Sequence, residues 1–69
     1  MDRTPVSSSN IASAGYDVAS MTLEVEFHSG FTYQYFDVPE AVFGEFIVAS
    51  SPGSYHNQHI KGIYRYARL

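Results

Sequence analysis

The segment TLEVEFHSGFTYQYF, Thr22 to Phe36, limits the fold more than any other stretch of this 69-residue chain. Leu23, Val25 and Phe27 alternate with Thr22, Glu24 and Glu26, the period of a strand with one dry and one wet face. Past the turn, Phe31, Tyr33 and Tyr35 alternate with Thr32, Gln34 and Phe36. Parity then selects the loop. A three-residue loop, His28-Ser29-Gly30, sets Phe27 opposite Phe31, Val25 opposite Tyr33 and Leu23 opposite Tyr35, so all six share a face. A two-residue loop sets Phe27 beside Thr32 and breaks that agreement. Gly30 also stands where the three-residue loop needs a left-handed residue. The chain must bury one face of this hairpin.

The cover comes from helices downstream. Asp37-Val38-Pro39 ends the sheet, and Pro39 suits the first position of a helix running to about Ala49. Glu40 complements the helix dipole there. Val42, Phe43, Phe46 and Ile47 form an apolar stripe, and Gly44 costs about 1 kcal/mol against alanine. Pro52-Gly53 breaks the chain again. Ser54 can cap a second, shorter helix to about Ile63, with Ile60, Ile63 and Tyr64 expected to face the core. Tyr64, Tyr66 and Leu69 alternate imperfectly, so the end reads as a short extended segment. Upstream, Ile11–Asp17 is a weaker strand in which Gly15 allows close backbone approach. Residues 1–5 read as a flexible tail, with Pro5 favouring extension at Thr4. The expectation is one α+β domain over residues 1–69. A three-stranded antiparallel sheet is followed by two helices packed on one face, in the order β-β-β-α-α. So short a chain buries only about 60% of its unfolded surface, and six tyrosines and five phenylalanines supply the needed efficiency.

Few residues point to chemistry. The chain has no cysteine, so thiolate ligands, disulfides and cysteine nucleophiles are excluded. His56 and His59 share a helix face, but zinc sites use three or four ligands, and His28 lies in the hairpin loop. No metal or cofactor is expected. Ser51 with His56 or His59, and Asp17 or Glu45, can be drawn as a triad, although nothing in the spacing requires it. No GxSxG, phosphate-loop or HExxH motif is present. Glu24 and Glu26 lie on the wet strand face, as ordinary solvent contacts. The chain is therefore not expected to be an enzyme. MDRTPVSSSN lacks a signal-like apolar run, and no stretch approaches the roughly 20 apolar residues of a membrane helix. A cytoplasmic protein without membrane contact is expected.

Binding is the alternative to catalysis. Formal net charge is -3, from four basic and seven acidic residues, too little positive charge for a general affinity for nucleic acid. Tyr33 and Tyr35 resemble stacking rings, but their face is needed for the core. The opposite face, with Glu24 and Glu26, repels phosphate. The best basic face combines His56, Lys61, Arg65 and Arg68 near the carboxy terminus, beside Asn57 and Tyr66. Sheet edges can instead pair with a partner protein or a second copy of the chain. A non-enzymatic interaction module is the primary expectation. An accessory RNA- or tRNA-binding role through the carboxy-terminal basic face is the second.

Several separated pieces resemble the KTSC domain, from Val6 to about Leu69. Its V-x-S-S-x-I pattern matches Val6, Ser8, Ser9 and Ile11, and a later G-Y-D matches Gly15, Tyr16 and Asp17. A Y-x-Y-F and V-P run matches Tyr33, Tyr35, Phe36, Val38 and Pro39. An S-x-G-x-Y/F-x-N-x-x-I run matches Ser51, Gly53, Tyr55, Asn57 and Ile60. The resemblance implies a short domain that occurs alone in bacteria and phages and at the carboxy terminus of some lysyl-tRNA synthetases. It implies no catalytic role. Pro52, His56 and Gln58 stand where the family often carries basic, aromatic and basic residues, which removes positive charge. Against this pattern, Ser8, Ser9, Ser51, Gly53, Tyr55 and Asn57 read as a structural junction. Gly53 turns the chain, Ser51 or Ser54 caps the second helix, Tyr55 packs toward the sheet, and Asn57 bonds to backbone near Ser8-Ser9.

Overall fold

The computed structural model describes all 69 residues. Strands β3 (Thr22–Phe27) and β4 (Thr32–Tyr35) pair antiparallel, with Leu23 opposite Tyr35 and Val25 opposite Tyr33. The loop is the three-residue one. The Phe27 amide donates to the Phe31 carbonyl at 2.9 Å, and the Gly30 amide to the Phe27 carbonyl at 2.9 Å. Gly30 has φ 98°, a left-handed backbone that glycine adopts without strain.

The sheet has five strands, not the three expected. Strand β1 (Arg3–Pro5) lies outside β2 (Ile11–Asp17), and β5 (Tyr66–Arg68) returns beside β4 after both helices. All neighbours are antiparallel, in the order β1-β2-β3-β4-β5. Residues 1–5, expected as a flexible tail, thus include a paired edge strand. Its sequence lacks apolar alternation, because its hold on the sheet is backbone pairing and charge. Arg3 lies opposite Gly15, and a Cβ on Gly15 would stand 2.5 Å from the Asp2 carbonyl oxygen. Glycine is therefore required there for close approach of two backbones.

Arg3 also corrects the expected wet face. Its Nε donates to Glu24 Oε2 at 2.7 Å, and a second guanidinium nitrogen lies 3.4 Å from Glu26. Gln34 Nε2 donates to Glu24 Oε1 at 3.0 Å, and Ser13 Oγ to Glu26 Oε1 at 2.9 Å. Glu24 is only 7% exposed, so it is a buried ligand of the network and not a solvent contact. Burial pushes its pKa up, but the Gln34 bond and Arg3 together outweigh that and hold it below the usual carboxylate range.

Helix α1 (Glu40–Val48) begins after Pro39, which occupies the cap position and not the first helical one. Asp37 turns the chain into it with φ 58°. Helix α2 (Pro52–His59) is capped by Ser51, not Ser54, and ends four residues earlier than expected. Gly62, at φ 78°, redirects the chain toward β5. Ile63, expected in the core, is consequently 59% exposed. Neither helix is long and apolar enough to cross a membrane.

Ile11, Ala14, Leu23, Val25, Tyr35, Val38, Phe46 and Ile60 form the core between sheet and helices. Helix α1 packs against β2 and α2. Phe43 stacks on Tyr16 with ring centroids 5.3 Å apart, and the Tyr16 hydroxyl donates to the Val38 carbonyl.

Two stability effects follow from the outer face. Gly15→Ala should destabilise the domain by about 1–3 kcal/mol through overpacking, read as a lower thermal midpoint with faster amide exchange in β1. An unchanged midpoint would remove the steric argument. Glu24 has a depressed folded pKa, so its stabilisation is complete above the unfolded value, about 4.3, and is lost as pH falls through the folded one. Urea denaturation of the parent between pH 5 and 2 (a range about the carboxylate pKa) should therefore show a steeper acid loss than Glu24→Gln.

Candidate functional site: an aromatic groove beside the second helix

Two helices of nine and eight residues do not span a five-stranded sheet. Helix α1 packs on β2, α2 packs on α1 and sets His56 against Phe27 and Tyr35, and the β4–β5 end of the same face is left partly open. The resulting groove has a volume of about 460 Å³. Phe27, Tyr33 and Tyr35 form its floor, Phe31 and Tyr66 its outer rim, and His56 with the Lys61-Gly62 turn its inner wall. Tyr66 reaches the rim because β5 sets it opposite Tyr35. Its ring lies 5.7 Å from Tyr33 and 6.1 Å from Tyr35. Phe27 meets Tyr33 edge-on at 5.6 Å, the preferred geometry for a quadrupolar pair.

His56 anchors this wall from inside. It is 5% exposed, packs edge-on against Phe27 and Tyr35, and shares a 2.7 Å hydrogen bond between Nε2 and the Tyr35 hydroxyl. Burial lowers its pKa, with Lys61 adding to the effect and Asn57 opposing it. Burial also pushes the Tyr35 phenol up to about 12, aided by Tyr33 and Tyr66. The bond therefore joins a neutral imidazole and a neutral phenol, and no charge is buried with it. Sequence reasoning grouped His56 with surface cations, and the structure makes it a neutral core residue.

The expected basic face is divided. Lys61 lines the groove. Arg68 faces the same side, opposite Tyr33, with its guanidinium 4.8 Å from the Phe31 ring. Arg65 instead lies over Phe36 at 5.2 Å and pairs with Asp37 at 3.1 Å. Phe36 follows Tyr35, and strand alternation turns it to the opposite face. Lys61 is the only charged residue lining the groove, and no carboxylate lines it.

The predicted junction surrounds a second, wholly polar cleft of about 380 Å³, shared by Ser8, Ser9, Ser51, Gly53 and Asn57. Ser8 Oγ accepts from the Asn10 and Ile11 amides at 3.1 and 3.2 Å. Ser51 Oγ accepts from the Ser54 amide at 3.4 Å and donates to Ser54 Oγ at 3.0 Å. A Cβ on Gly53 would stand 3.7 Å from Ser8 Oγ. The Tyr55 hydroxyl donates to Glu45 at 2.8 Å, and its ring packs on Phe46 and His59. Asn57 is exposed and makes no hydrogen bond to Ser8 or Ser9; His28 Nε2 reaches the Ser8 carbonyl instead, at 3.1 Å. The residues drawn as a triad are separately engaged. Ser51 caps a helix, His56 bonds Tyr35, Asp17 accepts from Ser20 and Glu45 from Tyr55.

The KTSC domain model matches residues 7–66. The chain belongs to the KTSC domain family. A KTSC domain protein of Yersinia pestis shares its structure with a TM-score of 0.93 at 42% identity, over 99% of this chain and 96% of that one. A protein of Tsukamurella paurometabola is 42% identical over 94% of this chain and 97% of its own length. A lysine–tRNA ligase of Trichormus variabilis is 43% identical over 78% of this chain, a stretch amounting to 10% of the ligase. The groove rings lie within the matched residues, Tyr66 at their limit.

Replacing His56 tests the wall. His56→Phe keeps a ring but leaves the Tyr35 hydroxyl without its hydrogen-bond partner, at a cost of about 1–3 kcal/mol. The folded pKa of His56 is depressed, so its contribution is complete above the unfolded value near 6.5 and falls as pH drops through the folded one. Urea denaturation should show the parent losing stability on that descent and His56→Phe losing less. Equal losses would return His56 to the solvent.

Proposed function

We propose that this domain is a non-catalytic binding module that holds a segment of a partner protein in the aromatic groove. The observation that carries this is the open end of the sheet. Phe31 and Tyr66 remain 50% and 60% exposed at the rim of a concave, ring-lined surface, where buried aromatic contacts contribute most to association. The engagement of Ser51, His56, Asp17 and Glu45 in structural bonds supports the non-catalytic part of the proposal. The second function is RNA association. Lys61 and Arg68 beside stacked rings favour it, as does similarity to a segment of lysine–tRNA ligases.

A photo-cross-linking phenylalanine analogue at Phe31 separates these. In cells, discrete protein adducts that vanish on Tyr66→Ala are the expected result. Adducts to RNA, with binding that weakens between about 50 and 200 mM salt, would transfer the groove to the second function. No adduct of either kind would remove the groove as a binding site.

A further inference from the structure

The two edges of the sheet differ. At β1, Pro5 lacks an amide and Arg3 is tied to Glu24 and Glu26, devices that discourage pairing. At β5 the Arg65 carbonyl accepts from Phe36 and the Leu69 amide donates to Thr32. Residues 65, 67 and 69 thus turn their backbone groups to β4. Alternation points the amides and carbonyls of Tyr66 and Arg68 away from the sheet, and no strand lies beyond them. The side chains of Tyr66 and Arg68 share the groove face, opposite Tyr35 and Tyr33. A strand added at this edge, about 4.8 Å from β5, would place every second side chain over Tyr66 and the groove.

Charge narrows the partner. Of four basic residues, Arg3 and Arg65 are paired with carboxylates. The two without such a partner, Lys61 and Arg68, both flank the groove. We infer that the β5 edge takes an extended, acidic segment of a partner protein as a sixth strand, seating one of its aromatic or apolar side chains in the groove and its carboxylates against Lys61 and Arg68. This rests on the groove being a binding site. A phosphodiester backbone fits the edge less well. It offers no N–H donors to the Tyr66 and Arg68 carbonyls, and two cations neutralise few phosphates. A polypeptide supplies donors and acceptors at the matching repeat.

Titration of the 15N-labelled domain tests this. The probe is a peptide of about eight residues with a central phenylalanine and glutamates two positions to either side, so that all three share a strand face. Its lysine counterpart and an oligouridylate of about eight nucleotides are the comparisons. The expected result is movement of the Tyr66, Arg68 and Gly62 amides with the acidic peptide, and slowed exchange at Tyr66 and Arg68. The double variant Lys61→Glu/Arg68→Glu should weaken the acidic peptide at least about tenfold, roughly 1.4 kcal/mol, and favour the lysine peptide. Both side chains are exposed and unpaired, and an unchanged thermal midpoint verifies the fold. Groove resonances that move without the Tyr66 and Arg68 amides would overturn strand addition and leave groove binding intact. Tighter binding of oligouridylate, or equal binding of both peptides, would overturn the acidic partner. Dimerisation through β5 in the absence of peptide would assign the edge to a second copy. No response to any probe would overturn both strand addition and groove binding.

Discussion

The register of the β3–β4 hairpin is the constraint on which the rest depends. The bond between the Phe27 amide and the Phe31 carbonyl puts Leu23, Val25, Phe27, Tyr33 and Tyr35 on one face and Glu24, Glu26 and Gln34 on the other. A shift of one residue would exchange the faces completely. The buried glutamate network would then meet the helices, and the rings would meet water. Both the core and the polar outer face thus descend from a loop of three residues, and from the glycine that lets it close.

Sheet width and helix length then work against each other. The hairpin and β2 alone are a good match for two short helices. Adding β5 widens the sheet beyond their cover, and adding β1 extends it on the other side. At the β1 side the excess is resolved by Arg3, which straps the outer face, and by Pro5 at the edge. At the β5 side it is not resolved in the same way. Tyr66 and Arg68 bring a ring and a cation over rings already there, and a groove results. Its inner wall is fixed by the Tyr35–His56 bond, which satisfies two polar groups that would otherwise be costly to bury.

What the sequence revealed follows the strength of each periodic signal. The hairpin, its loop length and the first helix were legible because apolar residues recur in them at the right spacing, whereas the strand at Ile11–Asp17 rested on the weaker sign of Gly15 and the second helix on the Pro52-Gly53 break with a serine before it. The close approach at Gly15 was legible for a physical reason as well, since glycine within a strand pattern implies a neighbour. The two outer strands were not. Each has three residues, too few for a period, and each is held by backbone pairing, β5 with a strand that lies before both helices in the chain. The groove was missed with β5, because without Tyr66 the hairpin rings look like core alone. The sequence left Ser51 and Ser54 both open as the cap of the second helix, and Pro52 at the first helical position decides for Ser51. His56 misled because helical spacing alone does not say which face turns inward.

The distribution of charge explains why a chain of net charge -3 can still present a carboxylate-free surface. Glu24 and Glu26 are confined to the outer face by strand alternation, and they draw Arg3 there. Asp37 draws Arg65 to the same side. Each of these pairs removes a cation from the helix side and also removes the anions that would compete for the remaining ones. Arg68 is left over the Phe31 ring, where a cation is attracted by the ring quadrupole, Lys61 lines the groove, and both remain available to an incoming carboxylate. The acidity of the whole chain and the basic character of the groove are therefore two results of one sorting, imposed by the alternation of the central strands.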